Sequence, residues 1–200
     1  MKLESAFQSA LRETVQPVLA QAGFSKKGAA FRRSDAEVVQ VIAIQKSRKS
    51  TTEQIVFAVN LGVASKQLLQ REEVDLASVT AEECHWRQRL SAGDPAGDSW
   101  WSVHDARSAQ EAATSVAQAL HDRGLPAVSI LSNDLALRDL WLSGRSPGLT
   151  DVQRLLNLAV LTSRLGPAED AQEVVQLLKQ VYESNPLPAI MNYLRHVGAV

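Results

Sequence analysis

The sequence predicts an α+β fold, with an N-terminal helix packed on an antiparallel sheet of about four strands and an all-helical C-terminal half. Runs rich in β-branched residues at 37–45 and 54–63 follow a helical pattern, and strand patterns stop after Trp100-Trp101. We therefore expect a helix-plus-antiparallel-sheet domain over residues 1–106. A helical region of four to five helices would follow over residues 107–200.

The first element is a helix over residues 3–22, where apolar residues recur at intervals of three and four. Pro17 lies inside this pattern and predicts a kink or a restart, and Gly23 predicts the end of the helix. Three strands then follow, joined by short polar connections that favour an antiparallel meander. Their ranges are 24–33, 37–45 and 54–63.

A fourth strand is predicted over residues 84–90, because apolar and polar residues alternate there. Cys84 and Trp86 would lie on one face of this strand, and His85 and Arg87 on the other. Capping boxes at Ser108–Glu111 and Thr150–Gln153, with glycine and proline punctuation, predict the helices of the C-terminal half. Their expected ranges are 108–123, 126–142, 150–165, 166–184 and 188–196.

Composition excludes several classes of protein. The 200 residues are 45% hydrophobic with a formal net charge of −1, which argues against a dedicated nucleic-acid binder. No segment approaches the ~20 apolar residues that span a bilayer, and the first residues lack the apolar core of a signal peptide. The single cysteine excludes an intramolecular disulfide and a Cys-rich zinc site. We expect a cytoplasmic protein with no cofactor and no metal.

Positive charge is concentrated at the start of the chain. Residues 1–50 carry nine Lys and Arg against four Asp and Glu, whereas residues 51–100 carry four against eight. Antiparallel pairing about Ser34-Asp35 would place residue 24 opposite about residue 45, so that five basic side chains converge at one end of the sheet. We call these residues the basic patch: Lys26, Lys27, Lys46, Arg48 and Lys49.

The basic patch has three interpretations. It binds the acidic surface of a protein partner, with Trp101 as an aromatic anchor. Alternatively, its lysines only discourage pairing at a sheet edge, or the acidic run over residues 72–83 neutralises it within the fold. Binding to nucleic acid is disfavoured, because only Phe24 and Phe31 lie nearby as stacking platforms. In Trp100-Trp101, one indole of an extended segment would face the core and the other would face outward, unless later helices cover both.

No catalytic constellation is evident in the sequence. Cys84 and His85 are neighbours in a predicted strand, so their side chains would diverge. The four histidines are scattered, without metal-ligand spacing. Residues 144–148 match G-x-S-x-G, but Pro147 lacks the N–H that an oxyanion hole needs after the serine.

Polar residues at strand positions support a second hypothesis, in which the chain is a small-ligand-binding or enzymatic domain. Its pocket would lie between the sheet and the helical tail. The residues that would line it are Gln45, Asn60, His85, Arg87 and Arg89. The amides of Gln45 and Asn60 interrupt otherwise apolar strands, and a buried amide needs a hydrogen-bond partner. The commoner outcome for such amides is a hydrogen bond to each other or to a turn.

Several short segments, in order over about residues 6–105, resemble a bacterial family catalogued as domain of unknown function 4304. They are Gly23-Phe24-Ser25-Lys26-Lys27-Gly28, Phe31-Arg32-Arg33, Gln45-Lys46-Ser47, Val59-Asn60-Leu61-Gly62, Cys84-His85-Trp86-Arg87-Gln88-Arg89 and Trp100-Trp101. The resemblance implies an N-terminal helix with an antiparallel sheet, and it brings no established activity. From the charge layout we expect a non-enzymatic protein-interaction domain, of an immunity or accessory type.

Overall fold

The computed structural model describes residues 2–91 and 100–199. An N-terminal helix has two α-helical parts, α1 (Leu3–Ala10) and α2 (Gln16–Gln21), joined by a π-helical turn (Leu11–Val15). The strands are β1 (Ser25–Lys27), β2 (Ala30–Ser34), β3 (Val38–Lys46), β4 (Ile55–Ser65), β5 (Trp86–Leu90) and β6 (Trp101–Val103). The later helices are α3 (Lys66–Arg71), α4 (Ala106–Ala119), α5 (Leu125–Ile130), α6 (Asp134–Leu142), α7 (Asp151–Leu165), α8 (Ala168–Ser184) and α9 (Pro188–His196).

The strands form one antiparallel sheet in the order β1-β2-β3-β4-β5, and β6 pairs with the first part of β4. The predicted α+β class, with its N-terminal helix and all-helical C-terminal half, is confirmed. The predicted first strand over residues 24–33 is wrong in one respect. The chain reverses at Gly28, whose φ is +66°, so this segment forms the hairpin β1–β2.

The two faces of the sheet are covered by different parts of the chain. Phe31, Ile42 and Leu61 belong to the main core on one face, which continues through the helices as far as Leu194. Val41 and Ala64 lie on the other face, in a smaller cluster with Leu69, Val79, Ala81 and Cys84. We call these the helix-covered face and the loop-covered face.

Each of the two long helices on the sheet contains a π-helical turn just before a proline. The turn Leu11–Val15 precedes Pro17, and the turn Leu120–Gly124 precedes Pro126. A proline removes a backbone donor and crowds the carbonyl four residues earlier, and a wider turn accommodates that change without ending the helix. The predicted helix end at Gly124 is therefore wrong, because the chain stays helical from α4 to Ile130.

The C-terminal helices follow most of the predicted ranges. Thr150 and Gln153 form the predicted capping box, and α7, α8 and α9 end close to where expected. The predicted helix over residues 126–142 is instead broken at 131–133 between α5 and α6. The predicted capping box Ser108–Glu111 is wrong, because the cap of α4 is Asp105, whose carboxylate accepts from the Ser108 N–H. Within the described ranges, no helix has the length and apolarity needed to cross a membrane.

Candidate functional site

The structure brings two residues of the basic patch to one small groove. The groove lies between α1 and the β1–β2 hairpin, has a volume of about 60 Å³ and is lined on its apolar side by Phe7, Leu11, Phe31 and Ile44. Lys26 and Lys46 line the same groove. The Lys26 Nζ lies 5.7 Å from the centre of the Phe31 ring. We call this feature the α1–β1 groove.

The two lysines meet for a different reason from the one predicted. Residue 24 does not pair with residue 45, because the β1–β2 hairpin intervenes. Instead β2 pairs with β3 through Ala30↔Ala43, and the hairpin turn is fixed by a 3.0 Å hydrogen bond from the Ile44 N–H to the Ala29 carbonyl. The turn of the hairpin therefore lies beside the end of β3.

The other members of the basic patch are more widely spread. Lys27 is exposed and neighbours Lys26 in β1, so the two side chains leave opposite faces of the strand. Arg48 and Lys49 are exposed in the connection that follows β3. The patch is thus a basic region around the β1–β2 hairpin and the end of β3, with Lys26 and Lys46 at the groove itself.

Lys46 also holds the N-terminal helix to the sheet. Its Nζ lies 3.0 Å from both carboxylate oxygens of Glu4, and the two side chains stay about half exposed at 46% and 51%. Partial burial acts to raise the pKa of Glu4, but hydrogen bonds from Gln8 and Lys46 outweigh it and leave that pKa below its ordinary value. Glu4 and the groove-lining residues of α1 were missed from the sequence, because a helical stripe does not say which strands it will meet.

Two further arginines near the patch form hydrogen bonds inside the fold. Arg32 donates from Nε to the Val79 carbonyl at 2.8 Å and from Nη2 to the Ser78 carbonyl at 3.2 Å, which fastens the segment over the loop-covered face. Arg33 donates to the Gln40 side chain at 2.8 Å and to the Ala22 carbonyl at 2.9 Å. The acidic run neutralises this basic region to a limited extent: the charge on Lys27 acts on Asp75, and the charge on Arg32 acts on Glu83.

Trp101 does not provide an exposed anchor, so that assignment is wrong. Its indole is 5% exposed, stacks on Phe57 with ring centres 5.7 Å apart and donates from Nε1 to Ser115 Oγ at 3.1 Å. Trp100 is 38% exposed and faces outward. The alternation expected for the pair is present, and Trp101 is the inward member because β6 pairs with β4 through Phe57↔Trp101.

Four of the five predicted pocket residues converge on a groove of about 560 Å³ along β3, β4 and β5. These residues are Gln45, Asn60, Arg87 and Arg89. The Asn60 Nδ2 donates to Gln45 Oε1 at 2.7 Å, and Arg89 donates to Asn60 Oδ1 at 3.4 Å. The Arg89 guanidinium lies 4.7 Å from the Trp100 ring centre. We call this the polar groove.

The polar groove is not where the sequence predicted it. Its side chains lie on the loop-covered face, whereas the helical tail packs on the opposite face of the sheet. At the edge of the groove Arg87 contacts the turn before α7: its side chain donates to the Gly148 carbonyl, and its N–H donates to Pro147 O at 3.0 Å. The Arg87 side chain also donates to the Glu82 carbonyl at 2.6 Å. The turn with the G-x-S-x-G match therefore packs on the edge strand β5.

His85 lies elsewhere and is not part of the polar groove. Its ring is 3% exposed, and Nδ1 accepts from the Ser65 N–H at 3.1 Å while Nε2 lies 3.3 Å from Glu72 Oε2. A nitrogen that accepts from a backbone N–H carries no proton, so the geometry assigns a neutral ring protonated at Nε2. His85 therefore joins the end of β4 to α3.

Cys84 and His85 precede β5 instead of belonging to it, and their side chains diverge. The predicted common face of Cys84 and Trp86 is wrong, because Cys84 packs on the loop-covered face and Trp86 enters the main core. The Cys84 Sγ lies 3.3 Å from the Thr80 carbonyl oxygen. Burial raises the pKa of Cys84 to about 12. The thiol thus stays protonated at neutral pH and is a poor nucleophile.

Among the described residues, no three His, Cys, Asp or Glu side chains are arranged to hold a metal ion. Asp134, at the start of α6, is 5% exposed, and burial raises the pKa of its carboxyl while the Ser65 hydroxyl lowers it. Its N–H donates to Glu37 Oε2 at 2.9 Å.

Comparison with known proteins gives one match. No curated protein and no solved structure matches the chain. The profile of one family, described as Domain of unknown function (DUF4304), matches residues 15–130. The match extends from the π-helical turn of the N-terminal helix through the sheet to the end of α5, and it covers more than half of the chain. The chain therefore belongs to the DUF4304 family.

Proposed function

We propose that this chain is a non-enzymatic, cytoplasmic protein-interaction domain, of an immunity or accessory type, that binds an acidic partner through the basic patch. One observation carries the proposal: Lys26 and Lys46 lie at the same apolar groove, beside Phe7 and Phe31. Apolar contact at the centre with charge at the rim is the usual arrangement of a specific protein interface. The small groove accepts one apolar side chain of the partner.

The charges around the groove support an acidic partner. Arg32 and Arg33 are held by internal acceptors, whereas Lys26, Lys27, Arg48 and Lys49 are exposed. The Lys46–Glu4 pair is half exposed, and such pairs contribute only about 0–1 kcal/mol. A carboxylate of the partner can therefore replace Glu4 at Lys46 at little cost.

The buried nucleophile candidates support a non-enzymatic role. Cys84 has its pKa raised by burial to about 12, and the imidazole of His85 is occupied by Ser65 and Glu72. Neither side chain is available to a substrate in this arrangement. The fold therefore offers surface charge for binding a partner, and surface charge mainly sets the rate and the specificity of association.

A pull-down from host cells tests the proposal. The bait is the wild-type chain, a K46E/R48E/K49E variant, or a control with the same change of charge elsewhere, R107E/R145E/R195E. We expect an acidic protein to be captured by the wild type and the control but not by the patch variant. The purified pair should then bind with an affinity that falls as salt rises.

A further variant makes this test more specific. E4Q removes the negative charge beside Lys46 and should leave binding unchanged or strengthen it, whereas A29W, at an exposed residue that lines the groove, should fill the groove and weaken binding. Equal capture by the wild type and the patch variant would refute the proposed surface. A captured protein that is not acidic would refute the charge argument.

A second function is favoured by the polar groove, where Gln45, Asn60 and Arg89 form a hydrogen-bonded row across three strands. A groove of about 560 Å³ is large enough for a small ligand. A thermal-shift screen of nucleotides and sugars, with N60L as the variant, tests this alternative. Stabilisation of the wild type that is lost in N60L would support it, and a flat response would exclude it for those ligands.

A further inference from the structure

A separate cavity lies between α3 and the C-terminal helices α7 and α9. Its volume is about 610 Å³, within the range of small-molecule sites. Residues from α3 form one wall, and residues from α7 and the end of α9 form the other. Its polar lining residues are Gln67, Gln70, Arg71, Ser163, Arg164, Tyr193 and His196. Only the α3 wall falls within the residues matched by the family profile.

The charges on this lining are all of one sign. Arg71 and Arg164 are permanently cationic, His196 adds a third basic group, and no carboxylate is among the described lining residues. Neither guanidinium forms an ion pair or a side-chain hydrogen bond in the described part of the chain. Unpaired positive charges in a recess focus a field that attracts anions.

A neutral donor in the same cavity also lacks a partner. The Nε2 of Gln67 is buried, and no acceptor among the described residues reaches it. Buried polar groups are hydrogen-bonded in the large majority of cases, so an unsatisfied donor at a cavity wall needs a reason. Because no water-sized group reaches Nε2 in this conformation, the Gln67 side chain must rotate toward the cavity before an anionic oxygen held by the two arginines can accept from it.

We propose that this cavity binds a small organic molecule through its phosphate group. The planar fork of an arginine matches two phosphate oxygens, and two such forks make a strong site for a doubly charged group. An adjoining groove of about 430 Å³ shares Arg71, Tyr193 and His196 with the cavity. It adds apolar side chains and two amides, from Leu68, Leu156, Ala189, Asn157 and Asn192.

The adjoining groove suits the organic part of the ligand. Apolar side chains would contact its body, and the amides of Asn157 and Asn192 would bind its hydroxyl or base groups. The acid of this groove, Glu72, has an oxygen 3.3 Å from Nε2 of His85, which places part of its charge away from the ligand. The preferred ligand is therefore a phosphate ester and not inorganic phosphate alone.

Calorimetric titration of the full chain tests this site. The probes are inorganic phosphate, AMP and glucose 6-phosphate, with adenosine and glucose as the matched compounds without phosphate, all at constant ionic strength. We expect at least one ester to bind, inorganic phosphate to bind more weakly, and the unphosphorylated compounds not to bind. Failure of all three phosphate compounds to bind would overturn the proposal.

Variants locate the binding. R164Q should weaken the binding of the ester at least roughly tenfold, as expected for loss of a charge-assisted contact. Arg164 is exposed and has no partner to lose, so this variant should fold normally. R195Q is the control, because it removes the same charge from α9 at a residue outside both linings. Equal affinities of R164Q and R195Q would place the binding elsewhere and overturn the proposal.

This site is independent of the proposed protein interface. The K46E/R48E/K49E variant should bind the phosphate ester as the wild type does, and R164Q should still capture the protein partner. If the patch variant loses ester binding while R164Q keeps it, the phosphate is bound at the basic patch and the cavity proposal is wrong.

Discussion

The Cys84 thiol lies so close to Gly62 that no larger residue fits at position 62 without movement. A Cβ atom at that position would be 2.5 Å from the Cys84 Sγ and 2.8 Å from its Cβ. Gly62 pairs with Arg87 across β4 and β5, so the segment before β5 crosses the sheet at the point where β4 has no side chain. This close approach holds Cys84 in the cluster on the loop-covered face.

Gly62→Ala should therefore destabilise the fold by about 1–3 kcal/mol, the usual cost of overpacking a core. The measurement is urea-induced unfolding followed by circular dichroism. Cys84→Ala removes Sγ, the nearer of the two clashing atoms, and should offset part of that loss in the double variant. Additive effects of the two substitutions would contradict the contact.

Gly144 and Gly148 give a matched pair for a second prediction. Both have a left-handed backbone, with φ of +80° and +82°. A Cβ at Gly148 would come within 2.6 Å of the Arg87 Cβ, whereas a Cβ at Gly144 meets nothing within 4 Å. Gly144→Ala should lower the free energy of unfolding by about 1–2 kcal/mol, the cost of the backbone conformation alone.

Gly148→Ala should cost more than Gly144→Ala, because it adds the clash with Arg87 to the same backbone strain. The excess should shrink when both glycine variants are made in an Arg87→Gly background, and a remainder should persist because the Arg87 carbonyl oxygen would still lie 3.1 Å from the new Cβ. Equal unfolding free energies for the two single variants would show that the turn moves away from β5 without penalty.

Local periodicity was enough to predict much of this fold. The segments 37–45 and 54–63 carry β-branched runs, and their strand assignment needed no tertiary information. The capping box at Thr150 likewise indicated where α7 begins. Each of these signals lies within a few residues of the element that it specifies.

The errors arose where distant contacts decide the structure. Alternation predicted that one member of Trp100-Trp101 faces inward, but the choice of Trp101 depends on its pairing with Phe57. The π-helical turns before Pro17 and Pro126 keep helices continuous that proline would otherwise break.

The candidate sites show the same limit. Lys26 and Lys46 were expected to be close, yet the pairing that places them together was predicted incorrectly. The α3–α9 cavity could not be found from sequence, because Arg71 and Arg164 belong to helices with no shared motif. Only packing of the C-terminal helices against α3 brings the two charges together.

The neutral His85 ring leads to a third prediction. His85→Ala would leave the Ser65 N–H, now bonded to Nδ1, without an acceptor in a buried place. The expected loss is about 1–3 kcal/mol of unfolding free energy. His85→Asn retains an acceptor close to the position of Nδ1, and should be less destabilising than alanine in the same urea experiment. Equal destabilisation by the two variants would show that filling the volume, and not accepting from Ser65, is the role of the ring.

Asp134 gives a prediction on pH. Burial raises the pKa of its carboxyl in the fold, although the Ser65 hydroxyl opposes this. The native state then binds more protons than the unfolded chain between the unfolded pKa, 3.8, and the folded pKa. Stability from this group is fully present below pH 3.8 and decreases as the pH rises through the folded pKa.

Asp134→Asn removes this loss, because the amide stays neutral and can still accept from Ser65. The unfolding free energy of the variant minus that of the wild type should therefore increase with pH above 3.8 and become constant above the folded pKa. Asp151→Asn is the control, since Asp151 begins α7 as Asp134 begins α6 but has a side chain that is 79% exposed. A difference for Asp134→Asn that stays flat or decreases with pH would mean that its carboxylate is stabilised in the fold, contrary to its burial.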